Sequence, residues 1–330
     1  MSVAVAERIA GLARDRQGLA RARIPRARAA LAECRLCAHH CGVNRLAGET
    51  GLCRAGAETR CFSAQVEVAD ELELIPTFAV ALSGCDLRCD FCVTGAESWN
   101  ARAGQSFCAP AIAERARRAL ENGAATVMIL GGEPTIHLPA VLELVSLLPA
   151  SAKLVWKTNA HGSAQARELL AGLFDVWLAD FKFGNDACAQ RLAKIANYGP
   201  VVRENLRWFA GEVSLENSRI EPLNGGEVLY GVPASAGSAN QGSMTVGCRV
   251  RGKGELIVRH LLMPGHVDCC WQPVAEWLAE TLPGIKVSLR RGFWPAWHWW
   301  RHSELAKPLS DPEMEKAVAV AKNYSLNLIA

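Results

Sequence analysis

Three cysteines stand close together in the segment SGCDLRCDFCVTG, residues 83–95, separated by three and then two residues. Three thiolates on one short loop can bind three irons of a [4Fe–4S] cluster, which leaves the fourth iron open to an exogenous ligand, as in catalytic metal sites. A zinc site of three cysteines and one histidine is the competing interpretation, but no histidine lies nearby in the sequence. The spacing therefore favours an open iron–sulfur cluster at Cys85, Cys89 and Cys92.

A second group of four cysteines lies near the N-terminus, separated by two, three and eleven residues. Four thiolates are enough for a closed tetrahedral zinc site or for a fully ligated [4Fe–4S] cluster. His39 and His40 could replace one ligand, but adjacent histidines are more typical of solvent-facing neighbours. An auxiliary metal, either zinc or iron–sulfur, is predicted at Cys34, Cys37, Cys41 and Cys53.

The chain has 13 cysteines and no secretion signal, which predicts metal or redox chemistry in a reducing compartment, the cytoplasm, rather than a disulfide framework. Six cysteines fit neither group and are expected to be small buried hydrophobic residues. Cys269 and Cys270 are the exceptions to consider, because they follow a candidate site loop. The six are Cys61, Cys108, Cys188, Cys248, Cys269 and Cys270.

The elements that must position these residues alternate between apolar, β-branched runs and helical patterns. This order predicts βαβ units and a buried parallel sheet that opens or curls into a barrel, an α/β fold. The predicted strands are 78–84, 125–132, 153–159, 175–182, 255–265 and 285–291. The predicted helices are 109–123, 138–149, 163–173, 186–196, 272–282 and 311–325.

Polar or glycine-rich segments follow several of the predicted strands. Ligands of parallel α/β folds bind at the carboxyl ends of the strands, where these segments would meet the cysteine loop. We therefore expect one site at this edge of the sheet. The segments are GGEP (131–134), KTNA (157–160), DFK (180–182) and MPGH (263–266).

Composition limits the remaining possibilities. With 330 residues, half of them hydrophobic, and a net charge of +3, we expect one large α/β domain with a smaller appendage. No apolar run is long enough for a membrane span, and no basic face predicts a nucleic-acid partner. The Ala/Arg-rich N-terminus is expected to be an exposed helix and a linker broken at Pro25 rather than a transit peptide.

The pattern CxxxCxΦC, with Phe91 before the last cysteine, resembles the signature of the radical S-adenosylmethionine superfamily, and the resemblance covers roughly residues 75–300. It implies a partial (β/α)6 TIM-like barrel in which S-adenosylmethionine chelates the open iron. It also implies a one-electron donor such as flavodoxin or ferredoxin. The reduced cluster would cleave S-adenosylmethionine to methionine and a 5′-deoxyadenosyl radical, which abstracts hydrogen from a substrate.

The resemblance assigns roles to residues at the predicted site edge. Glu133 and the backbone of Gly131 and Gly132 match the element that meets the methionine amino group, and Phe91 would lie near the adenine. Further implied contacts to the cofactor are Pro134, Thr158, Asn159, Asp180, Lys182, Met263 and His266.

The chain is more similar still to activating enzymes of the pyruvate formate-lyase type, and in particular to an uncharacterised branch of activase-like proteins. That branch shares the N-terminal cysteine cluster, VVRENLRW (201–208) and RHLLMPGH (259–266). One departure is Lys157-Thr158-Asn159, where the activases carry Asp-Thr-Asn, so a cation site at that position is in doubt. Lys157 could instead reach a carboxylate.

These features predict an N-terminal helical arm (1–33), a Cys-rich metal-binding knuckle (34–75), a core barrel (76–300) with an insert at about 210–252, and a helical tail (301–330). The preferred function is a radical enzyme for a small molecule, in cofactor or natural-product maturation. A glycyl radical activase acting on a partner protein is the alternative, and a non-catalytic iron–sulfur or zinc protein is a remote one.

The aromatic run GFWPAWHWWRH, residues 292–302, has two interpretations. Its tryptophans could stack on a flat substrate or face a partner protein. A lid that packs over the open side of the barrel is favoured instead. Arg291 and Trp294 are the substrate-side candidates of this segment.

Overall fold

The computed structural model describes residues 16–69, 71–217 and 254–329. Its centre is one nine-stranded sheet with the order β3-β1-β2-β4-β5-β6-β7-β8-β9. The strands from β2 through β4 to β9 run parallel, while β1 and β3 are antiparallel additions at one edge. The strands are β1 (Arg60–Glu67), β2 (Thr77–Leu82), β3 (Gln105–Ser106), β4 (Thr126–Gly131), β5 (Leu154–Thr158), β6 (Val176–Asp180), β7 (Glu255–Leu261), β8 (Lys286–Arg290) and β9 (Asn327–Ile329).

Helices follow the parallel strands and cover the outer face of the sheet. They are α1 (Arg16–Ala29), α2 (Gly95–Trp99), α3 (Ala109–Glu121), α4 (Leu138–Val145), α5 (Ala164–Leu170), α6 (Asp186–Ala193), α7 (Tyr198–Asn217), α8 (Gln272–Thr281) and α9 (Asp311–Asn323). Six consecutive strands, β2 and β4 to β8, are each followed by at least one helix, which confirms the predicted partial parallel α/β barrel. None of the described helices is both long and apolar enough to cross a membrane.

The sheet has two apolar faces because both are covered. All six residues of β2, TFAVAL, are buried, as expected for a parallel strand packed on both sides. A small inner cluster fills the concave side, and a larger cluster joins the sheet to the helices. The inner cluster consists of Leu74, Met128, Val155, Val176, Leu178 and Ile257.

Several predicted boundaries were wrong. The predicted strand 255–265 ends earlier, at Leu261, and Pro264 and Gly265 lie in a turn in which Gly265 takes a left-handed φ of 76° that a strand does not allow. The first eight residues of the predicted insert, 210–217, continue α7 as a helix, and the rest of it lies outside the described residues. Strands β1, β3 and β9 and helices α2 and α7 were not predicted.

The N-terminal helix also differs from the prediction, which had an exposed helix broken at Pro25. Helix α1 runs through Pro25 to Ala29, and Ala20 and Ala27 are fully buried on its inner side. Arg23 donates hydrogen bonds to the carbonyl oxygens of Leu169 and Ala171, at 3.1 and 2.6 Å. Packing against the barrel therefore outweighs the helix-breaking tendency of proline. Residues 1–15 of the predicted arm lie outside the described residues.

The C-terminal helix follows the prediction closely. Helix α9 carries Pro312 in its first turn, and Ser310 and Glu313 form a capping box. The Ser310 hydroxyl and backbone N–H both bond to the Glu313 carboxylate, at 2.7 and 3.0 Å, which satisfies donors that the helix leaves unpaired.

Candidate active site at the carboxyl ends of the strands

The three cysteines of the opening motif lie on the loop that follows β2, where the sequence placed them. Cys85 and Cys89 are buried, Cys92 is half-buried, and the backbone N–H of Leu87 lies 3.3 Å from Cys85 Sγ. Within residues 16–69, 71–217 and 254–329, two groups of three or more candidate ligands bring all ligand atoms within 4.8 Å, and neither includes these cysteines. Three cysteines on one loop match the three protein ligands of an open cubane.

The buried thiols of the cysteine loop need a positively charged partner if they are to ionise. Burial raises the pKa of Cys85 well above its ordinary value, and the neighbouring Asp86 and Glu133 carboxylates add to the effect. Burial also raises the pKa of Cys89 to about 12, although Lys182 partly opposes it. Thiolates are the form that ligates iron, so the iron of a cluster would supply the stabilisation that the protein alone does not give.

The glycines after β4 are required by the cysteine loop itself. A Cβ on Gly132 would lie 1.9 Å from the Gly84 carbonyl oxygen and 3.2 Å from Cys85 Cβ. Gly131 has a φ of 137°, and a Cβ there would lie 2.2 Å from the backbone of Leu82. The two glycines thus allow the end of β4 to pack directly against the loop after β2. Their predicted contact with S-adenosylmethionine stays a prediction.

Glu133 is the centre of a buried hydrogen-bond network that joins β4 and β5. Its Oε1 accepts hydrogen bonds from the Thr135 N–H at 3.0 Å and the Thr158 hydroxyl at 2.8 Å, and its Oε2 accepts from the Asn159 N–H at 2.8 Å. Burial raises the pKa of Glu133, and the nearby Asp86 raises it further. Three residues predicted as cofactor contacts, Glu133, Thr158 and Asn159, therefore form one unit beside the cysteine loop.

Two residues of this network were missed by the sequence reasoning. Asp86 accepts a hydrogen bond from Asn159 Nδ2 at 2.7 Å and lies 2.8 Å from His161 Nδ1, while His39 Nε2 lies 2.9 Å from the Asp86 carbonyl oxygen. Burial alone would raise the pKa of Asp86, but the contacts with His161 and Asn159 outweigh it and lower the pKa. The available signal was position, because Asp86 follows Cys85 and His161 directly follows KTNA.

A group of charged side chains lies next to the inner apolar cluster, towards the carboxyl ends of the strands. Asp180 and Lys182 form an ion pair, and Arg259 Nε lies 3.9 Å from Asp180 Oδ1 and 2.9 Å from Glu71 Oε1. Burial would raise the pKa of Asp180, but Lys182 and Arg259 outweigh it and lower the pKa. Lys157 shares the inner face of β5 with Val155, as expected from the alternation of side chains along a strand.

The other predicted cofactor contacts are placed differently from one another. Phe91 is buried against Phe183, with ring centroids 6.0 Å apart. Pro134 begins the short helical turn after Glu133, and Met263 is buried in the large core cluster. His266 lies among three cysteines, away from the Glu133 network. Contact of these four residues with S-adenosylmethionine stays a prediction.

The N-terminal cysteine segment, residues 34–53, packs beside the cysteine loop after β2. Cys34, Cys37 and Cys53 are buried and Cys41 is exposed. The Ala38 N–H donates to the carbonyl oxygen of His161 at 3.0 Å, which ties the segment to the loop after β5. Its ligation of a metal stays a prediction.

A buried arginine joins the same segment to the barrel. Arg45 donates to the Ile136 carbonyl oxygen at 2.7 Å and to the Gly56 carbonyl oxygen at 2.6 Å, and it lies 3.6 Å from Cys34 Sγ. Arg45 also opposes the rise in the pKa of Cys53 that burial causes. The segment thus holds a fixed positive charge beside its thiols, which favours their ionised form.

The tryptophan-rich segment packs onto the cysteine loop. Buried Asp90, between Cys89 and Phe91, lies 2.8 Å from His302 Nε2 and 3.0 Å from Arg301 NH1. Trp297 packs on α2, where a Cβ on Gly95 would lie 2.7 Å from its ring. The segment therefore covers the loop that carries the cysteines. The substrate-side candidates Arg291 and Trp294 are both exposed.

Buried His137 predicts a pH dependence of stability at this edge. Its Nε2 lies 2.7 Å from the Ser83 carbonyl oxygen and therefore carries the proton, while Nδ1 accepts from the Thr59 hydroxyl at 3.1 Å. Burial lowers the pKa of His137 to about 3. The unfolded chain takes up a proton below about pH 6.5 and the folded chain does not, so stability is lost as the pH falls from about 6.5 towards 3. We expect a loss of about 2 kcal/mol between pH 6.5 and 5 from this residue.

Urea denaturation of the wild type and a His137→Gln variant at both pH values would measure this loss. Glutamine can donate to Ser83 but does not titrate, so the variant should lose about 2 kcal/mol less than the wild type over the same range. An identical pH dependence of the two proteins would contradict the assignment of this loss to His137.

Comparison with known proteins agrees with this geometry. Residues 80–209 match the family model of the Radical SAM superfamily. The matched stretch begins in β2 and ends in α7, so it contains the three cysteines, the Glu133 network and the Asp180–Lys182 pair. Residues 80–209 are therefore a match to a radical SAM domain, as the cysteine motif predicted, and that family implies a [4Fe–4S] cluster and S-adenosylmethionine.

Among curated proteins, the chain is 26% identical over 305 residues to an uncharacterized protein of Methanocaldococcus jannaschii, which covers 90% of this chain and 76% of that protein. It is 33% identical over 103 residues to 7-carboxy-7-deazaguanine synthase of Methanothermobacter thermautotrophicus, covering 31% of this chain and 40% of the other. Among solved structures, SuiB of Streptococcus suis bound to precursor peptide SuiA aligns with a TM-score of 0.47 and 15% identity, covering 74% of this chain and 46% of SuiB.

Proposed function

We propose that this protein is a radical SAM enzyme that abstracts hydrogen from a small substrate bearing an anionic group. The observation that carries the proposal is the proximity of the cysteine loop to the Asp180–Lys182 ion pair, both of whose charges act on the pKa of Cys89. Cys85, Cys89 and Cys92 would hold a [4Fe–4S] cluster, which in its reduced form would supply the electron for cleavage of S-adenosylmethionine to methionine and a 5′-deoxyadenosyl radical.

The residues around this loop suit the binding of S-adenosylmethionine. The Glu133 carboxylate accepts hydrogen bonds on both oxygens from fixed donors of β5, so it is held in one orientation before a ligand arrives. An oriented carboxylate is a suitable acceptor for the methionine amino group. Asp86 holds Asn159 in place beside Cys85, whose Sγ lies 3.7 Å from Asn159 Nδ2.

The charge of the inner face supports an anionic substrate. Four cationic side chains, Lys157, Lys182, Arg259 and Arg290, meet two carboxylates, Asp180 and Glu71, and Arg290 NH1 lies 3.8 Å from Glu71 Oε1. Lysine and arginine side chains grouped over an apolar floor favour a ligand that brings its own negative charge. Arginine and lysine are the side chains that bind carboxylates and phosphates.

The size of the substrate is supported by a relative. The shared stretch with 7-carboxy-7-deazaguanine synthase spans 40% of that protein, whose name describes the formation of a small molecule. The cover that residues 297–302 provide over the cysteine loop also suits a small substrate better than a protein loop. An activase-like role is therefore the alternative to this proposal.

For the N-terminal cysteine segment we propose an auxiliary metal, either zinc or an iron–sulfur cluster. Its four cysteines could supply the four thiolates that either group needs. The buried guanidinium of Arg45, 3.6 Å from Cys34 Sγ, favours the ionised form of these thiols.

The proposal is tested with the reconstituted, dithionite-reduced protein and fractionated cell extract. Ultrafiltered small molecules are expected to stimulate 5′-deoxyadenosine formation, while the washed protein fraction is not. Removal of the anionic small molecules by anion exchange should abolish the stimulation. If only the protein fraction stimulates the reaction and a glycyl radical signal appears in it, the protein is an activase and the proposal is wrong.

A matched pair of lysine variants tests the role of the inner face. Lys157→Met is expected to lose most of the stimulation by small molecules while keeping the slow cleavage of S-adenosylmethionine without substrate. Lys153→Met removes an exposed lysine just before β5, whose Nζ lies 4.0 Å from Glu255, and should behave like the wild type. Equal stimulation of both variants would contradict an anion-binding role of Lys157.

A further inference from the structure

A cluster of three cysteines and one histidine lies outside the site described above. Cys188 is on α6, and His266, Cys269 and Cys270 are on the loop and the π-helical turn (Val267–Trp271) that follow β7. The four ligand atoms all lie within 4.8 Å of one another. The sequence predicted these three cysteines to be small buried hydrophobic residues; Cys188 and Cys270 are buried, and the structure adds that all three lie together with His266.

The distances from His266 to the three sulfurs and the distance between Cys188 and Cys269 are those of a tetrahedral metal site. His266 Nδ1 lies 3.6 Å from Cys188 Sγ, 3.2 Å from Cys269 Sγ and 3.6 Å from Cys270 Sγ. Cys188 Sγ and Cys269 Sγ are 3.8 Å apart. With bonds of about 2.3 Å to sulfur and about 2.0 Å to nitrogen, a tetrahedral zinc places two sulfurs about 3.8 Å apart and sulfur and nitrogen about 3.5 Å apart.

The local backbone brings these ligands together. The N–H groups of Cys270 and Trp271 both bond to the His266 carbonyl oxygen, at 3.0 and 3.2 Å, which widens the turn. π-helical turns are rare and occur frequently at functional sites. This turn directs Cys269 and Cys270 to the same side as His266, although the two cysteines are adjacent in sequence.

The surroundings of the cluster are those of a closed site. Cys188, Cys270 and His266 are buried and Cys269 is half-buried. Asn185 Nδ2 donates to the Cys269 carbonyl oxygen at 2.6 Å and lies 3.3 Å from Cys188 Sγ.

The second nitrogen of the histidine also has charged neighbours. His266 Nε2 lies 3.7 Å from Glu304 Oε1 and 3.2 Å from Arg191 NH2, and Arg191 and Glu304 are themselves an ion pair. Ligating histidines commonly direct their other ring nitrogen to a carboxylate. Three thiolates and one Zn²⁺ leave a net charge of −1, and the Arg191–Glu304 ion pair presents its guanidinium to this side of the site.

We propose that Cys188, His266, Cys269 and Cys270 bind one structural zinc ion. Three thiolates and an imidazole complete the four ligands of a closed zinc site, so no position is left for a substrate. The ion would fasten α6, and with it the loop that follows Asp180 and carries Lys182, to the loop after β7. The two loops already touch, because a Cβ on Gly184 would lie 2.3 Å from the Cys270 carbonyl oxygen. This site is independent of the substrate proposed above.

The test measures zinc and iron per chain, by inductively coupled plasma mass spectrometry, in the full chain purified without oxygen. A Cys188→Ser/Cys269→Ser variant is expected to lose one equivalent of zinc and keep the iron content of the wild type. A Cys61→Ser/Cys108→Ser variant, which also lacks two cysteines, should keep both metals. Because the comparison is a difference between variants, zinc bound elsewhere in the chain does not affect it.

A second pair of variants keeps the test decisive if the double variant fails to fold. His266→Ala should lose the zinc, whereas His266→Cys, which again offers four ligands, should keep it. Cobalt substituted for zinc should give the visible absorption of a tetrahedral thiolate site in the wild type and in His266→Cys. Zinc content unchanged in both Cys188→Ser/Cys269→Ser and His266→Ala would overturn the proposal, as would a zinc-free wild type with a Cys188–Cys269 disulfide.

Discussion

Replacing Cys89 by serine is expected to lower 5′-deoxyadenosine formation by more than about 100-fold, because even the loss of groups that only support metal ligands costs about 10–100-fold. Cys89 is buried, so no solvent-exposed ligand can take its place in the loop. The measurement is product formation by chromatography after anaerobic reconstitution, with iron and sulfide determined on the same sample.

Cys108→Ser is the matched control for this variant. Cys108 is exposed immediately before α3, beyond the cysteine loop, and its replacement should leave iron content and product formation at the wild-type level. If Cys89→Ser kept both the iron content and the product formation of the wild type, Cys89 would not be a cluster ligand.

Replacing Asp175 by alanine is expected to destabilise the folded protein by about 3–5 kcal/mol, the usual effect of leaving one partner of a buried ion pair uncompensated. Arg16 NH2 lies 2.7 Å from both Asp175 carboxylate oxygens, and the two side chains are 3% and 9% exposed. Asp175 also accepts from the Leu154 N–H at 2.7 Å, so the variant loses the bond that ties it to β5. Urea denaturation measures the change in the free energy of unfolding.

An exposed ion pair of the same helix provides the control. Arg26 pairs with Glu168, and both side chains are more than half exposed, at 58% and 59%. Glu168→Ala should therefore cost about 0–1 kcal/mol, since solvent screens such pairs. If Asp175→Ala and Glu168→Ala lowered the free energy of unfolding by similar amounts, burial would not explain the contribution of the Arg16–Asp175 pair.

The sequence predicted the parallel core because each central strand is a continuous apolar run, and such runs occur where both faces of a strand are covered. Strand β1 was missed because it carries polar residues on its open side, and β9 because three residues give no periodicity. Helix α1 could not be predicted through Pro25, since the packing of Ala20 and Ala27 that overrides the proline is a tertiary effect.

The candidate site was predicted only in part, because contacts between different strand ends are also tertiary effects. Ligands that lie in one loop have a characteristic spacing, so Cys85, Cys89 and Cys92 could be predicted from the sequence. Asp86 was not, because its role depends on Asn159 and His161 from another strand end.

The cluster of Cys188, His266, Cys269 and Cys270 could not be predicted from the sequence, because its members also come from separate segments of the chain. Cys188 is far in sequence from Cys269 and Cys270, and the adjacency of the latter two matches no familiar ligand spacing. Only the π-helical turn after His266 and the packing of the two loops bring the four side chains together.

Electron paramagnetic resonance of the dithionite-reduced chain tests most directly whether Cys85, Cys89 and Cys92 hold an iron–sulfur cluster with one open iron. A variant with Cys34, Cys37, Cys41 and Cys53 replaced by alanine isolates this cluster from an N-terminal one. The variant should show the signal of a reduced [4Fe–4S] cluster, and the signal should change shape when S-adenosylmethionine is added. Absence of the signal, or a signal that S-adenosylmethionine leaves unchanged, would contradict an open iron at these three cysteines.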